Sequence, residues 1–188
     1  MDKVFKELKK YNNNKFNPKL FEYDDFLSLK FNLSKKLKID CFRNNDFDVI
    51  KIKNNKISLN KNIILTNIKK CKILPLYIFN KDSLHLISFI IDNNEKTISL
   101  FTNSENKTFY KKIMKLFDEK FELNYEINID DEKIKCDSYK VYCVPLSLLM
   151  IYSYFKNVKM NEFIEYINNI SIESAYNLID YFLNYLEN

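Results

Sequence analysis

Glycine is absent from all 188 residues, where ordinary usage of roughly 7 % would supply about 13. That absence excludes every phosphate-binding motif that needs a residue without a Cβ: the P-loop, the Rossmann fingerprint and the kinase Gly-rich loop. It also removes the glycine-flanked elbow of a serine hydrolase. Tryptophan and Gln are missing too, and Ala175, Arg43 and His85 are the single Ala, Arg and His. The abundance of Asn, Lys, Ile, Phe and Tyr reads as nucleotide bias in an AT-rich gene, so the rare residues carry the information. No stretch reaches the roughly 18 apolar residues of a membrane span. The N-terminus alternates charges with Val4, Phe5 and Leu8, which is not the apolar core of a signal peptide.

What is present suits a folded chain: 46 % of the residues are hydrophobic and 15 % aromatic, too rich for disorder. The length predicts one domain over 1–188, with a helical N-terminal region at 1–40 and a helical C-terminal region at 160–188. Cys41, Cys71, Cys136 and Cys143 read as thiols rather than a disulfide framework, which implies an intracellular, reducing compartment. The net charge of +5 is unevenly placed. Lysines crowd the chain before Ile73, whereas Met160 to Asn188 carries five acidic residues and no Lys or Arg. A nucleic acid or an acidic partner is the functional reading of that basic N-terminal half, and a solvated lysine face is the plain one.

Apolar spacing predicts helices over about 2–11 and Phe21 to Leu37, with short β-rich runs between Cys41 and Ile68. The clearest stretch is Ile73 to Asn103. Ile73 to Phe79 is β-rich, and Pro75 suggests an edge or strand-start position. Leu84 to Ile91 is a nearly continuous apolar run, Asp92 to Lys96 supplies a turn, and Thr97 to Phe101 returns as a hairpin partner. Phe109, Ile113, Leu116, Phe117 and Phe121 mark an amphipathic helix. Glu122 to Ile129 alternates as a half-buried strand. A long apolar helix starts at Cys143 and runs to about Phe155, with Pro145 in its first turn. Helices over 160–167 and 172–186 complete the chain. The fold class is therefore α+β: a small mixed sheet packed against a central helix that starts at Cys143, with N- and C-terminal helices.

Any imidazole chemistry must use His85. Cys143 opens a helix, where free backbone N–H groups favour a thiolate and can lower a thiol pKa from about 8.5 into the range of roughly 3.5 to 7.5. A nearby imidazole would act in the same direction. The plain alternatives are a structural histidine and a small buried hydrophobe. Cys71, His85, Cys136 and Cys143 could in principle hold zinc, but no pair has the close C-x2-4-C spacing of such sites. No metal or cofactor is expected.

The order of Ile73-Leu74-Pro75-Leu76, Ser83-Leu84-His85-Leu86, Ile87 to Asp92, Ile98 to Asn103 and Tyr142-Cys143-Val144 resembles the SUMO-specific proteases and the adenovirus-type processing proteases of DNA viruses. The resemblance covers about 70–160. Leu86 stands where that family has Trp, Val144 where it has Gly, and Thr102 with Asn103 where it has Asp. No Gln is available for its oxyanion hole, and Asp137 or Ser138 occupies that stretch. The resemblance implies an adenovirus-protease or papain-like architecture and a Cys-His-Asn triad. In it Cys143 is the nucleophile, His85 the general base and acid, and Asn103 the orienter. It further implies a protein substrate, either a viral structural protein or a ubiquitin-like modifier, in host cytoplasm or virion if the source is viral. An acyltransferase on the same residues belongs to this branch. The alternatives are an inactive protease-fold homologue acting as a binding or structural protein, and an unrelated α+β domain.

Overall fold

The computed structural model describes residues 1–12, 21–39, 49–53, 56–58, 70–80, 85–101, 107–129 and 142–188. In chain order these form α1 (Asp2–Leu8), a 3-10 turn (Lys9–Tyr11), α2 (Tyr23–Leu37), β1 (Val49–Lys53), β2 (Lys56–Ser58), β3 (Ile73–Asn80), β4 (His85–Asp92) and β5 (Thr97–Phe101). They continue as α3 (Lys107–Phe121), β6 (Glu126–Ile129), α4 (Cys143–Phe155), α5 (Met160–Asn169) and α6 (Ile172–Glu187). The chain is α+β, as the alternating and helical spacings predict.

The strands make one mixed sheet in the order β2-β1-β3-β4-β5-β6. Its two central strands are β3 and β4, and β4 forms an antiparallel hairpin with β5, with Ser88 opposite Phe101 and Asp92 opposite Thr97. Asp92 closes the turn by accepting from the N–H groups of Asn94 and Glu95 at 2.9 and 3.0 Å. β3 runs antiparallel to β4 along its whole length, from Ile73 opposite Asp92 to Asn80 opposite His85. β1 joins β3 in parallel, and β6 joins β5 in parallel. Of the edge or strand-start position expected from Pro75, the edge is corrected, because β3 is an interior strand, and Pro75 lies near the strand's start as its third residue. Proline is tolerated there because its described pairing with β1 starts two residues later, at Tyr77, so the missing N–H of Pro75 interrupts none of those pairs.

Helix α4 is the pillar of the core, buried without a break from Cys143 to Ser153. A helix apolar all round must be covered all round. It packs on β4 and against α2, α5 and α6. Tyr152 near its C-terminus donates to Glu7 Oε1 at 2.8 Å, and Lys156 donates to the same oxygen at 2.9 Å, which fastens α1 to the end of α4. Burial pushes the Glu7 carboxyl up, but the hydrogen bonds from Lys156 and Tyr152 and the nearby ammonium charge outweigh it and hold the group below its ordinary value. Phe5 meets Tyr181 edge-on at 6.2 Å, and Tyr11 meets Tyr185 at 5.1 Å. The lysine-rich start and the acidic end of the sequence are thus folded against each other. Among the described residues no helix is long and apolar enough to cross a membrane.

A glycine-free chain must still end its helices. Three end in Schellman turns, in which a left-handed residue lets the next N–H reach a carbonyl five residues back. Lys38 (φ 54°), Glu122 (φ 52°) and Asn157 (φ 62°) take the left-handed position. Ile39, Leu123 and Val158 then donate to Ser34, Asp118 and Ser153. Side chains with a Cβ disfavour that conformation by roughly 1–2 kcal/mol, and Asn tolerates it best. We predict that Lys38→Gly and Glu122→Gly each raise stability by about 1 kcal/mol, and Asn157→Gly by less. Urea denaturation tests this; destabilisation by either of the first two would show that the side chain does more than fill the position.

Candidate active site

The strand that begins at His85 and the helix that begins at Cys143 meet at Leu86. The backbone at Leu86, with that of Val144 and of Cys143 itself, favours a thiolate at the Cys143 sulfur. One helical turn on, Ser147 Oγ donates to the Leu86 carbonyl at 3.3 Å, and Ser88 Oγ donates to the Ser147 carbonyl at 3.5 Å. The backbone of Leu86 is therefore engaged by the start of α4. The two serines belong to otherwise apolar runs, and both are buried. They link strand to helix inside an otherwise apolar contact, where a buried hydroxyl needs a partner. Ser88 and Ser147 went unremarked in the sequence, although a lone hydroxyl in an apolar strand and another in an apolar helix are a signal of such a contact.

His85 contributes its backbone to this junction by opening β4 and is peptide-bonded to Leu86, so its Cα lies about 3.8 Å from that of Leu86. Its imidazole lies outside the described atoms, as do Asn103, Asp137 and Ser138 in full. The structure brings the helix start at Cys143 beside the strand start at His85.

The electrostatics differ from the expectation. Burial pushes the Cys143 thiol up, and the backbone at Leu86, Val144 and Cys143 offsets this only in part. The helix start acts in the predicted direction, but the thiol of a residue only 4 % exposed loses more from desolvation of its thiolate than it gains from the dipole. Next to it, Tyr142 packs its ring on Tyr176 of α6 at 4.9 Å. Burial, followed by the Tyr176 hydroxyl, raises the Tyr142 phenol. The thiol reading holds for Cys143, which is not in a disulfide, and is corrected for Cys71, which is disulfide-bonded. Cys71 is buried where the chain enters β3, a fixed position suited to a cross-link. Its partner lies outside the described residues, as do Cys41 and Cys136. Among the described residues, no three His, Cys, Asp or Glu side chains converge on a metal position.

No protein-family model matches the chain, and no curated protein matches it. Among solved structures it is similar to the SUMO protease Ulp1 with its catalytic cysteine oxidised to a sulfonic acid. The match has 9 % identity and a TM-score of 0.47, and it covers 99 % of this chain and 94 % of that one.

Proposed function

We propose that the protein is a cysteine-nucleophile enzyme of the peptidase type, with Cys143 as nucleophile, His85 as general base and acid, and Asn103 as orienter. The observation that supports it is the packing of the first turns of α4 on the start of β4, with Ser147 Oγ donating to the Leu86 carbonyl at 3.3 Å, which joins the strand that opens at the sequence's one His to the helix that opens at Cys143. In the reaction the imidazole takes the thiol proton and the sulfur attacks a substrate carbonyl. The imidazolium then protonates the leaving amine, and water releases the acyl group from Cys143. Backbone N–H groups at the start of α4 are the oxyanion donors in this reading, with Asp137 and Ser138 in the segment before them. The substrate is a protein, a ubiquitin-like modifier or a viral structural precursor. The buried sulfur requires that substrate binding open the site.

That same burial favours a second reading, a non-catalytic binding protein in which Cys143 only fills the core. A panel of ubiquitin-like modifiers ending in an electrophile, read by intact mass, separates the two. A single adduct that vanishes in Cys143→Ala supports the enzyme. Failure of every probe, together with alkylation of native Cys143 no faster than that of a buried control thiol, supports the binding protein.

A further inference from the structure

At the end of the sheet opposite His85, three separate segments enclose a cleft of about 590 Å³. One wall is the entry to β3, with Lys70, Cys71 and Lys72. Another is the β4–β5 turn, with Asn93, Asn94 and Lys96. The last is the link between α3 and β6, from Phe121 to Tyr125. The strand β4 separates this cleft from the Leu86 junction, and its eight residues at about 3.3 Å each place the two roughly 20 Å apart. The cleft is therefore independent of the peptidase reading.

Asn93 holds the three walls together. Its N–H donates to the Lys72 carbonyl at 2.7 Å, its side-chain amide donates to the Cys71 carbonyl, and its Oδ1 accepts from the Tyr125 hydroxyl at 2.7 Å. The Lys96 ammonium donates to that hydroxyl at 3.2 Å and lies 5.0 Å from the Tyr125 ring centre. The Lys70–Lys72 segment is further fixed by the disulfide at Cys71. Tyr125 N–H donates to Asp118 Oδ1 at 3.1 Å, and Glu126 N–H to the Lys96 carbonyl at 3.0 Å. Such a connected network places donors before a ligand arrives, which lowers the ordering cost of binding.

The lining has two chemical characters. Lys70, Lys72 and Lys96 are exposed at the rim, and Glu122 is the single carboxylate among the lining residues. Phe121, Leu123 and Tyr125 are half-buried and offer apolar and ring surface. Three ammonium groups against one carboxylate call for an anion carrying more than one negative charge. The apolar wall calls for a body attached to it, and the volume falls within the roughly 300–1,000 Å³ of small-molecule sites. We propose that this cleft binds a phosphate-bearing small molecule of nucleotide size, its phosphates on Lys70, Lys72 and Lys96 and its apolar part against Tyr125 and its neighbours.

Titration calorimetry of the full chain with pyrophosphate and with adenosine triphosphate tests this. Saturable binding of both is expected, tighter for adenosine triphosphate, with the affinity falling as salt rises. Because charge-assisted bonds are at stake, Lys72→Ala with Lys96→Ala should weaken it by about tenfold or more. Glu122→Gln should tighten it severalfold, and a Lys3→Ala, Lys6→Ala control on α1 should leave it unchanged. Circular dichroism and Tm verify that each variant is folded. The proposal is overturned by no binding at millimolar ligand or by equal affinity for sulfate at matched ionic strength. It is likewise overturned by a control that loses as much affinity as the cleft variant, or by binding confined to vesicles carrying phosphoinositides.

Discussion

In His85→Ala the rate of Cys143 acylation by an electrophilic substrate is expected to fall by about 10²- to 10⁴-fold at neutral pH, the usual contribution of a positioned acid–base group. Cys143→Ala should remove the reaction altogether. The sharper readout is the pH profile. Burial holds the thiol above its ordinary value, so without an imidazole the rate follows thiolate formation and keeps climbing through the alkaline range. With an imidazole to accept the proton, the rising limb belongs to the coupled pair and lies below that of the lone buried thiol. The wild type should therefore level off while His85→Ala still climbs. Superimposed profiles would mean that the histidine and the sulfur do not communicate, and the peptidase reading would fail with them.

The hairpin β4–β5 and the helix α4 were legible because each announces itself locally. Leu86 to Ile91 is apolar but for Ser88 and rich in Ile, Asp92 begins a polar turn, and Cys143 to Phe155 is too long and too apolar for anything but a buried helix. The start of β6 was not legible. Apolar residues at Phe121, Leu123, Tyr125 and Ile127 alternate as a strand would, yet Glu122 and Asn124 are left-handed and the strand begins only at Glu126. A glycine would ordinarily mark such a helix end, and this chain has none. Alternation alone cannot distinguish a Schellman turn followed by an extended link from a pleated strand.

The parallel pairings of β1 with β3 and of β5 with β6 depend on contacts remote in sequence, which no local pattern specifies. The same holds for the Cys143 thiol. Its place at a helix start can be read from Pro145 and the apolar run, whereas its burial is created by β4 and the helices around α4. The cleft around Asn93 is assembled from segments some 20 to 50 positions apart, so its lysines look in the sequence like part of a general basic excess.

The largest loss of stability is expected from the aromatic cluster that fixes α2 to the sheet. Phe26 is fully buried. It stacks on Phe79 of β3 at 5.7 Å with rings 14° apart, and meets Tyr77 edge-on at 5.3 Å. Tyr23, one turn earlier, meets Phe79 edge-on at 5.0 Å. The helix entry beside it is secured by a capping box, with Glu22 N–H donating to Asp25 Oδ2 at 3.1 Å. The first turn of α2 is thus held to β3 through rings that no polar group could replace. Phe26→Ala removes the central ring and leaves a cavity between α2 and β3, which should cost about 3–5 kcal/mol. Against a total of roughly 5–15 kcal/mol, that is enough to leave a large unfolded population in moderate denaturant. A double-mutant cycle with Phe79→Leu isolates the ring pair, whose coupling should be about 0.5–1.5 kcal/mol beyond area burial. Urea midpoints for the four proteins measure both quantities. A loss below about 1 kcal/mol for Phe26→Ala would place it in the range of substitutions away from a packed core, and the account of how α2 is held to β3 would have to be abandoned.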